Sequence, residues 1–193
     1  FKVLSMQERI SLVHHWLNGM RGGERVLELF CLQYPEADIF TLFFEPKKVS
    51  DVIKKHSIHP SWLNKSHLLR KAYNSLFPLF PYFTEQFDLT SYDLVLTSDT
   101  LSMKGVITNP DTCHICYCHT PPRYVWDMYF EYINNSGLGR LKKIFAEYFL
   151  HKFRQWDYNA AQRVDYFIAN STFVARRIAK FYRRPSYIAN PPI

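Results

Sequence analysis

No run of apolar residues in this 193-residue chain reaches the roughly 18 that a membrane-spanning helix needs. Near the start, Gln7, Glu8 and Arg9 stand where a secretory signal would need its apolar stretch. Both absences lead to the expectation of a cytoplasmic protein. Cysteine is also sparse: four residues do not make a disulfide scaffold at this size, and a reducing compartment suits them. Internal repeats and low-complexity tracts are missing, so repeat architectures are not expected. Acidic residues fall short of basic ones, 17 against 24, leaving a net charge of +7. That balance points to an acidic partner surface: phosphates, nucleic acid or anionic lipid. No nucleic-acid-binding motif accompanies it, so nucleic acid is not an expected partner.

Apolar residues make up 47% of the chain, with 16 Phe and 13 Tyr, enough for one domain with a hydrophobic core. Short β-rich runs alternate with longer helical patterns. Strands are expected at residues 9–14, 38–44, 92–97, 113–118 and 165–169, with a last short strand starting at Tyr187. Helices are expected from Gly22 to Tyr34, along the basic stretch from Lys47 to Asn74, and over most of Tyr124 to Gln162 with a break at 134–137. Another runs from Ser171 to Tyr182, with Ser171 placed to cap it. The alternation predicts an α/β fold, a Rossmann-like parallel sheet with helices on both faces. Ala189-Asn-Pro-Pro-Ile193 reads as an extended segment resembling a linker.

The turn between the first strand and the first helix carries Gly22 and Gly23. A helix start offers free backbone N–H groups and the positive end of the helix dipole. Two missing side chains let a phosphate or a sugar approach those groups. In an open α/β sheet, ligands bind at this strand edge. The spacing fits neither G-x-G-x-x-G nor the phosphate-loop pattern, and a turn that merely lets helix and sheet pack is the plainer reading.

Cys113, His114, Cys116, Cys118 and His119 lie within seven residues. Alternation along a strand sends His114, Cys116 and Cys118 to one side and Cys113 and His119 to the other, so four ligands do not converge and no metal site is expected. His119 is followed directly by Thr120-Pro-Pro122, which ends the strand and puts this histidine at its C-terminal mouth. There it suits contact with a sugar hydroxyl or a developing charge, or else a structural hydrogen bond.

In order along the chain, residues 9–28 (RISLVHHWLNGMRGGERVLE), 104–108 (KGVIT), 116–127 (CYCHTPPRYVWD), 167–178 (FIANSTFVARRI) and 189–192 (ANPP) resemble glycosyltransferase family 4. Within it they are most similar to bacterial mannosyltransferase-like enzymes of surface polysaccharide synthesis. The resemblance implies the N-terminal half of a two-domain GT-B glycosyltransferase. Residues 1–188 would be the Rossmann-like acceptor-side domain and 189–193 the start of a linker to a donor-binding domain absent here. It implies transfer of a hexose from a nucleotide-sugar substrate to a glycan or lipid-linked acceptor, with retention of configuration and with neither metal nor cofactor. Matching positions put Gly22 and Gly23 near the donor phosphates or the transferred sugar and make His119 the catalytic residue. Lys104, Arg123 and Asp127 would contribute cleft or acceptor contacts, and Asp99 departs from the small or His-like residue expected there. A non-catalytic Rossmann-like module binding phosphorylated or nucleotide ligands is the alternative.

Between Lys47 and Lys71, seven basic residues face Asp51 alone and lie beside Trp62, Leu68 and Leu69. Such a mixture suits either an anionic membrane surface, at the inner face of the plasma membrane, or a solvated face.

Overall fold

The computed structural model describes residues 8–71 and 73–191. In chain order its elements are β1 (Ile10–Leu17), α1 (Gly22–Gln33), β2 (Asp38–Phe44), α2 (Asp51–Lys54), β3 (Ile58–Pro60), α3 (His67–Lys71) and α4 (Phe80–Thr84). There follow β4 (Leu94–Asp99), β5 (Cys113–Cys118), α5 (Tyr129–Asn134), α6 (Arg140–Gln162), β6 (Tyr166–Ala169), α7 (Thr172–Tyr182) and β7 (Tyr187–Ile188). The strands form one seven-stranded sheet in the order β3-β2-β1-β4-β5-β6-β7. Every pairing is parallel. The expected Rossmann-like α/β fold is the one observed. The strand order reverses between β1 and β4, where Ile10 to His14 pair with Leu94 to Ser98.

A parallel sheet covered on both faces needs apolar residues at consecutive strand positions. Leu12, Ile39 and Leu96 pack with Leu27 and Cys31 of α1 and Ile53 of α2. Their neighbours Val13, Phe40 and Val95 turn to the other face and meet Phe80, Leu150 and Phe153. A third cluster gathers Cys116, Cys118 and Phe167 with Val174, Ile178 and Tyr182 of α7. On α1 the buried residues are Glu24, Val26, Leu27 and Cys31. Leu29 of the same helix is 41% exposed.

Several element boundaries differ from expectation. The first strand continues past its expected end at residue 14 to Leu17, so His15 belongs to it rather than to the turn. The basic stretch beyond Lys47 is not one helix. It contains the edge strand β3 between short helical turns. Three residues ending in Pro60 give no alternation to read, and a proline is tolerated only at such an edge. Residue 72 of that stretch lies outside the described residues. The break at 134–137 is real: Gly137 adopts φ 64, which only glycine enters without strain. Ser171 caps α7 as expected, its Oγ accepting from the Val174 N–H at 3.3 Å.

Lys104 is fully buried. Its Nζ lies 3.1 Å from Asp99 Oδ2 and 2.5 Å from Asp157 Oδ1 on α6. Burial alone would push the ammonium towards neutrality, but Asp157 and Asp99 overcome this and raise its pKa. The other Asp157 oxygen accepts from Trp126 Nε1 at 2.7 Å and from Tyr182 OH at 2.9 Å. Asp99 Oδ1 accepts from the backbone N–H groups of Leu101 and Met103. The group ties the loop after β4 to α6. Lys104 is therefore not the cleft contact that the resemblance implied, because none of its surface reaches solvent. The departure at Asp99 has its explanation in the same network.

Beside it, a Cβ at Gly105 would overlap the ring of Trp156, which the Glu85 carboxylate holds through Nε1 at 2.8 Å. Nothing larger than hydrogen fits there without moving the indole. Gly105→Ala is expected to lower stability by about 2 kcal/mol through overpacking. The check is a lowered urea midpoint at an unchanged denaturant slope.

Candidate functional site

The site lies at the C-terminal edge of the sheet, where the strand order reverses. β1 delivers His14, β4 delivers Ser98, and the residue after β5 is His119. His14 and Ser98 are register partners across the β1–β4 pairing. The His119 backbone N–H donates to the Asp99 carbonyl, which prolongs the ladder by one step and aims the ring at this edge. Ser98 Oγ and His119 Nε2 share a hydrogen bond of 2.8 Å.

Helix α1 begins at Gly22, opposite these side chains. A Cβ built on Gly23 would stand 3.4 Å from His14 Cε1 and 3.8 Å from His119 Nε2. The sequence reading put Gly23 and His119 at one edge, and the structure brings them face to face. Gly22 has open space around its Cβ position. The first N–H groups of a helix have no acceptor within it, and they carry its positive pole. Glu24 partly occupies this end: its Oε2 accepts from the Arg21 N–H at 3.0 Å. Burial raises the pKa of Glu24, but His14 and nearby backbone N–H groups outweigh this and keep it below the usual carboxylate range.

His119 is held neutral, with its pKa pushed down to about 4 by burial and further by the neighbouring His14. His14 is 4% exposed, and its Nδ1 has no hydrogen-bond partner. This leaves at the edge a partly exposed neutral imidazole and a helix start without side chains, with Ser98 and His14 buried behind them. Such a set can bind a polar, partly anionic ligand through hydrogen bonds.

The segment after His119 is fixed from behind. Arg177 of α7 donates to Thr120 Oγ1, to the Pro121 carbonyl at 3.1 Å and to Asp127 Oδ1 at 2.6 Å. Asp127, expected as a cleft or acceptor contact, thus completes a clamp on the loop that carries His119. Arg123 is exposed on the same loop, where its carbonyl accepts from the Met128 N–H at 2.9 Å.

His14, Ser98 and Glu24 went unrecognised in the sequence. His14 stands at the end of the expected strand, where nothing in the sequence marks it as part of a site. Ser98 shows its place only once the β1–β4 register is known. Glu24 was legible, since an acid at the third position of a helix is a capping signal. His15 points to the opposite face, against Trp16 and Phe80, and burial lowers its pKa to about 3. On that face a cavity of about 570 Å³ is lined mainly by apolar side chains, among them Trp16, Phe80, Leu101, Tyr124 and Phe149.

Among the described residues, no helix is long and apolar enough to cross a membrane. No family model and no curated protein matches the sequence. Among solved structures, the chain is similar to the apo form of the lipopolysaccharide outer core galactosyltransferase WaaB, with 14% identity and a TM-score of 0.50. The match covers 96% of this chain and 46% of that one, so the chain spans about half the length of the enzyme it resembles. At this identity the likeness is one of fold: the domain has a glycosyltransferase-like, Rossmann-type α/β architecture.

Proposed function

We propose that the chain is the acceptor-side domain of a two-domain, retaining glycosyltransferase. It moves a hexose, with mannose the first to test, from a nucleotide-sugar to a glycan or lipid-linked acceptor in surface polysaccharide synthesis. Residues 1–188 form the domain and 189–193 begin the link to a second domain that grips the nucleotide. The observation that carries this reading is the bare start of α1, with the Cβ position of Gly23 only 3.8 Å from His119 Nε2. The glycosyltransferase-like fold supports it.

The chemistry follows from charge. Breaking the bond between the sugar and its diphosphate builds negative charge on the leaving group and positive charge on the ring. Fixed N–H groups at the start of α1 stabilise the first without reorganising. Neutral His119, partly exposed at the edge, offers a hydrogen bond to a sugar hydroxyl. Closure of a second domain over this edge would exclude the water that otherwise hydrolyses the donor. No metal or cofactor enters this scheme; the nucleotide-sugar is a substrate.

The test is a panel of nucleotide-sugars given to the intact protein with membrane-extracted acceptors, with proton NMR of the product giving its anomeric configuration. Acceptor-dependent release of nucleoside diphosphate is expected. Residues 1–193 alone are expected to fold without turnover, and appreciable transfer by them would overturn the two-domain scheme. Tight nucleotide binding by the intact protein with no transfer to any acceptor would leave a binding module in place of an enzyme.

A further inference from the structure

Helix α6 leaves four large apolar side chains in solvent: Leu141 at 69% exposure, Ile144 at 54%, Phe145 at 68% and Tyr148 at 62%. Their spacing of three, four and seven residues draws one continuous stripe about 10 Å long along the helix. Leu138, just before the helix, is 41% exposed. The opposite face of the same helix, with Leu150 and Phe153, is already in the core. None of the four belongs to a hydrophobic cluster of the described residues. Side chains of this size left in water next to one another mark a surface that meets something else.

The charges around the stripe select the partner. At about 100° per residue, Arg140 and Lys142 fall on either side of it. Lys152 closes its far end, with Nζ 5.8 Å from the Tyr148 ring centroid. Against these basic residues stands Glu147. A second copy of the chain, docked stripe to stripe, would bring the two basic rims together in a low-dielectric contact. A bilayer with anionic headgroups reverses that sign: the apolar side chains enter the acyl boundary while the long basic stems reach back to the phosphates. We infer that the α6 face is a membrane-docking surface for anionic lipid bilayers.

The assignment moves the membrane contact away from the Lys47–Lys71 region. There Lys48 and Lys54 are engaged by Glu45 and Asp51, at 3.1 Å and 2.6 Å. It also sets the apolar cavity next to the bilayer, because Leu138 and α6 residues Ala146 and Phe149 line that cavity.

Cosedimentation of the intact protein with vesicles tests the assignment. The lipids are phosphatidylcholine alone and phosphatidylcholine with 30% phosphatidylglycerol, across a salt series, with light scattering to follow oligomeric state. The protein is expected to pellet with the anionic vesicles only. Raising salt should weaken binding without abolishing it, since the apolar part is not screened. Ile144→Ser with Phe145→Ser should reduce partitioning by about 10-fold or more at an unchanged Tm, because both residues are exposed. Arg140→Ala with Lys142→Ala should remove most of the salt dependence, whereas Lys54→Ala with Lys55→Ala should change nothing. Failure to pellet at low salt, equal binding by the Ser variant, or a Ser variant that loses a dimer instead of a membrane would overturn the inference.

Discussion

Replacing His119 with alanine is expected to lower kcat by about 100-fold, with little change in KM for the nucleotide-sugar. The asymmetry follows if the imidazole contacts the transferred sugar mainly in the transition state, where the ring charge develops. Gly23→Val should reach a similar loss by a different route. The Cβ itself meets His14 and His119 at ordinary contact distance, so the helix accepts it. The two methyl groups then fill the space that a phosphate or sugar would enter. Neither change falls in a packed core, so both variants should melt close to the parent. Because burial, and secondarily His14, hold the His119 pKa near 4, the ring stays neutral from pH 8 down to that value. A pH–rate profile of the parent should accordingly show no limb near 6.5 that disappears in the alanine variant. A His119→Ala protein that unfolds early but keeps its rate per folded molecule would make this histidine a structural partner of Ser98.

Lys104→Met should be the most destabilising single change in the domain. Methionine nearly matches the volume of the lysine stem but leaves Asp99 and Asp157 facing each other, both buried, with no cation between them. Breaking a buried ion pair in this way costs about 3–5 kcal/mol. In a chain of this length that corresponds to a fall in Tm of roughly 10 °C. The pH dependence identifies the cause. Without Lys104, burial and mutual repulsion raise the folded-state pKa of the carboxyl pair above its unfolded value. The folded variant then takes up a proton that the unfolded chain releases, so stability falls as pH rises. The deficit relative to the parent should be widest at pH 7–8 and narrow towards pH 4. Urea midpoints across that range give the measurement. A deficit constant with pH would mean that the lost packing, not the charge, decides the effect.

Those two residues also show what a linear reading can and cannot reach. The strand–helix alternation was enough for the parallel α/β sheet, because a sheet buried on both faces needs near-continuous apolar runs. The placement of Gly23 and His119 at one edge is legible because a helix start and a strand end are local signals, and the fold brings both together. Lys104 was misjudged for the opposite reason. A lysine is ordinarily read as surface, and only the fold reveals that Asp99 and Asp157, distant in sequence from each other, converge on it. The strand β3 had no pattern to read, and the register partner Ser98 becomes visible only after strands β1 and β4 are paired. The α6 stripe was written plainly in the spacing of residues 141, 144, 145 and 148. Without the structure, however, it could not be told from a core-facing stripe.

The reversal of strand order that creates the site also sets when the site can exist. His14 and His119 are separated by roughly a hundred residues of chain, and Gly23 and Ser98 by more than seventy. No local segment contains two of the converging strands together with the helix start. During synthesis the ribosome must release β5 before the edge has His119, and the long stretch of chain between β1 and β4 must close first. Long closures of this kind make parallel sheets slow folders. The candidate edge is thus among the late products of folding, and a ligand that binds there would stabilise the finished domain without nucleating it.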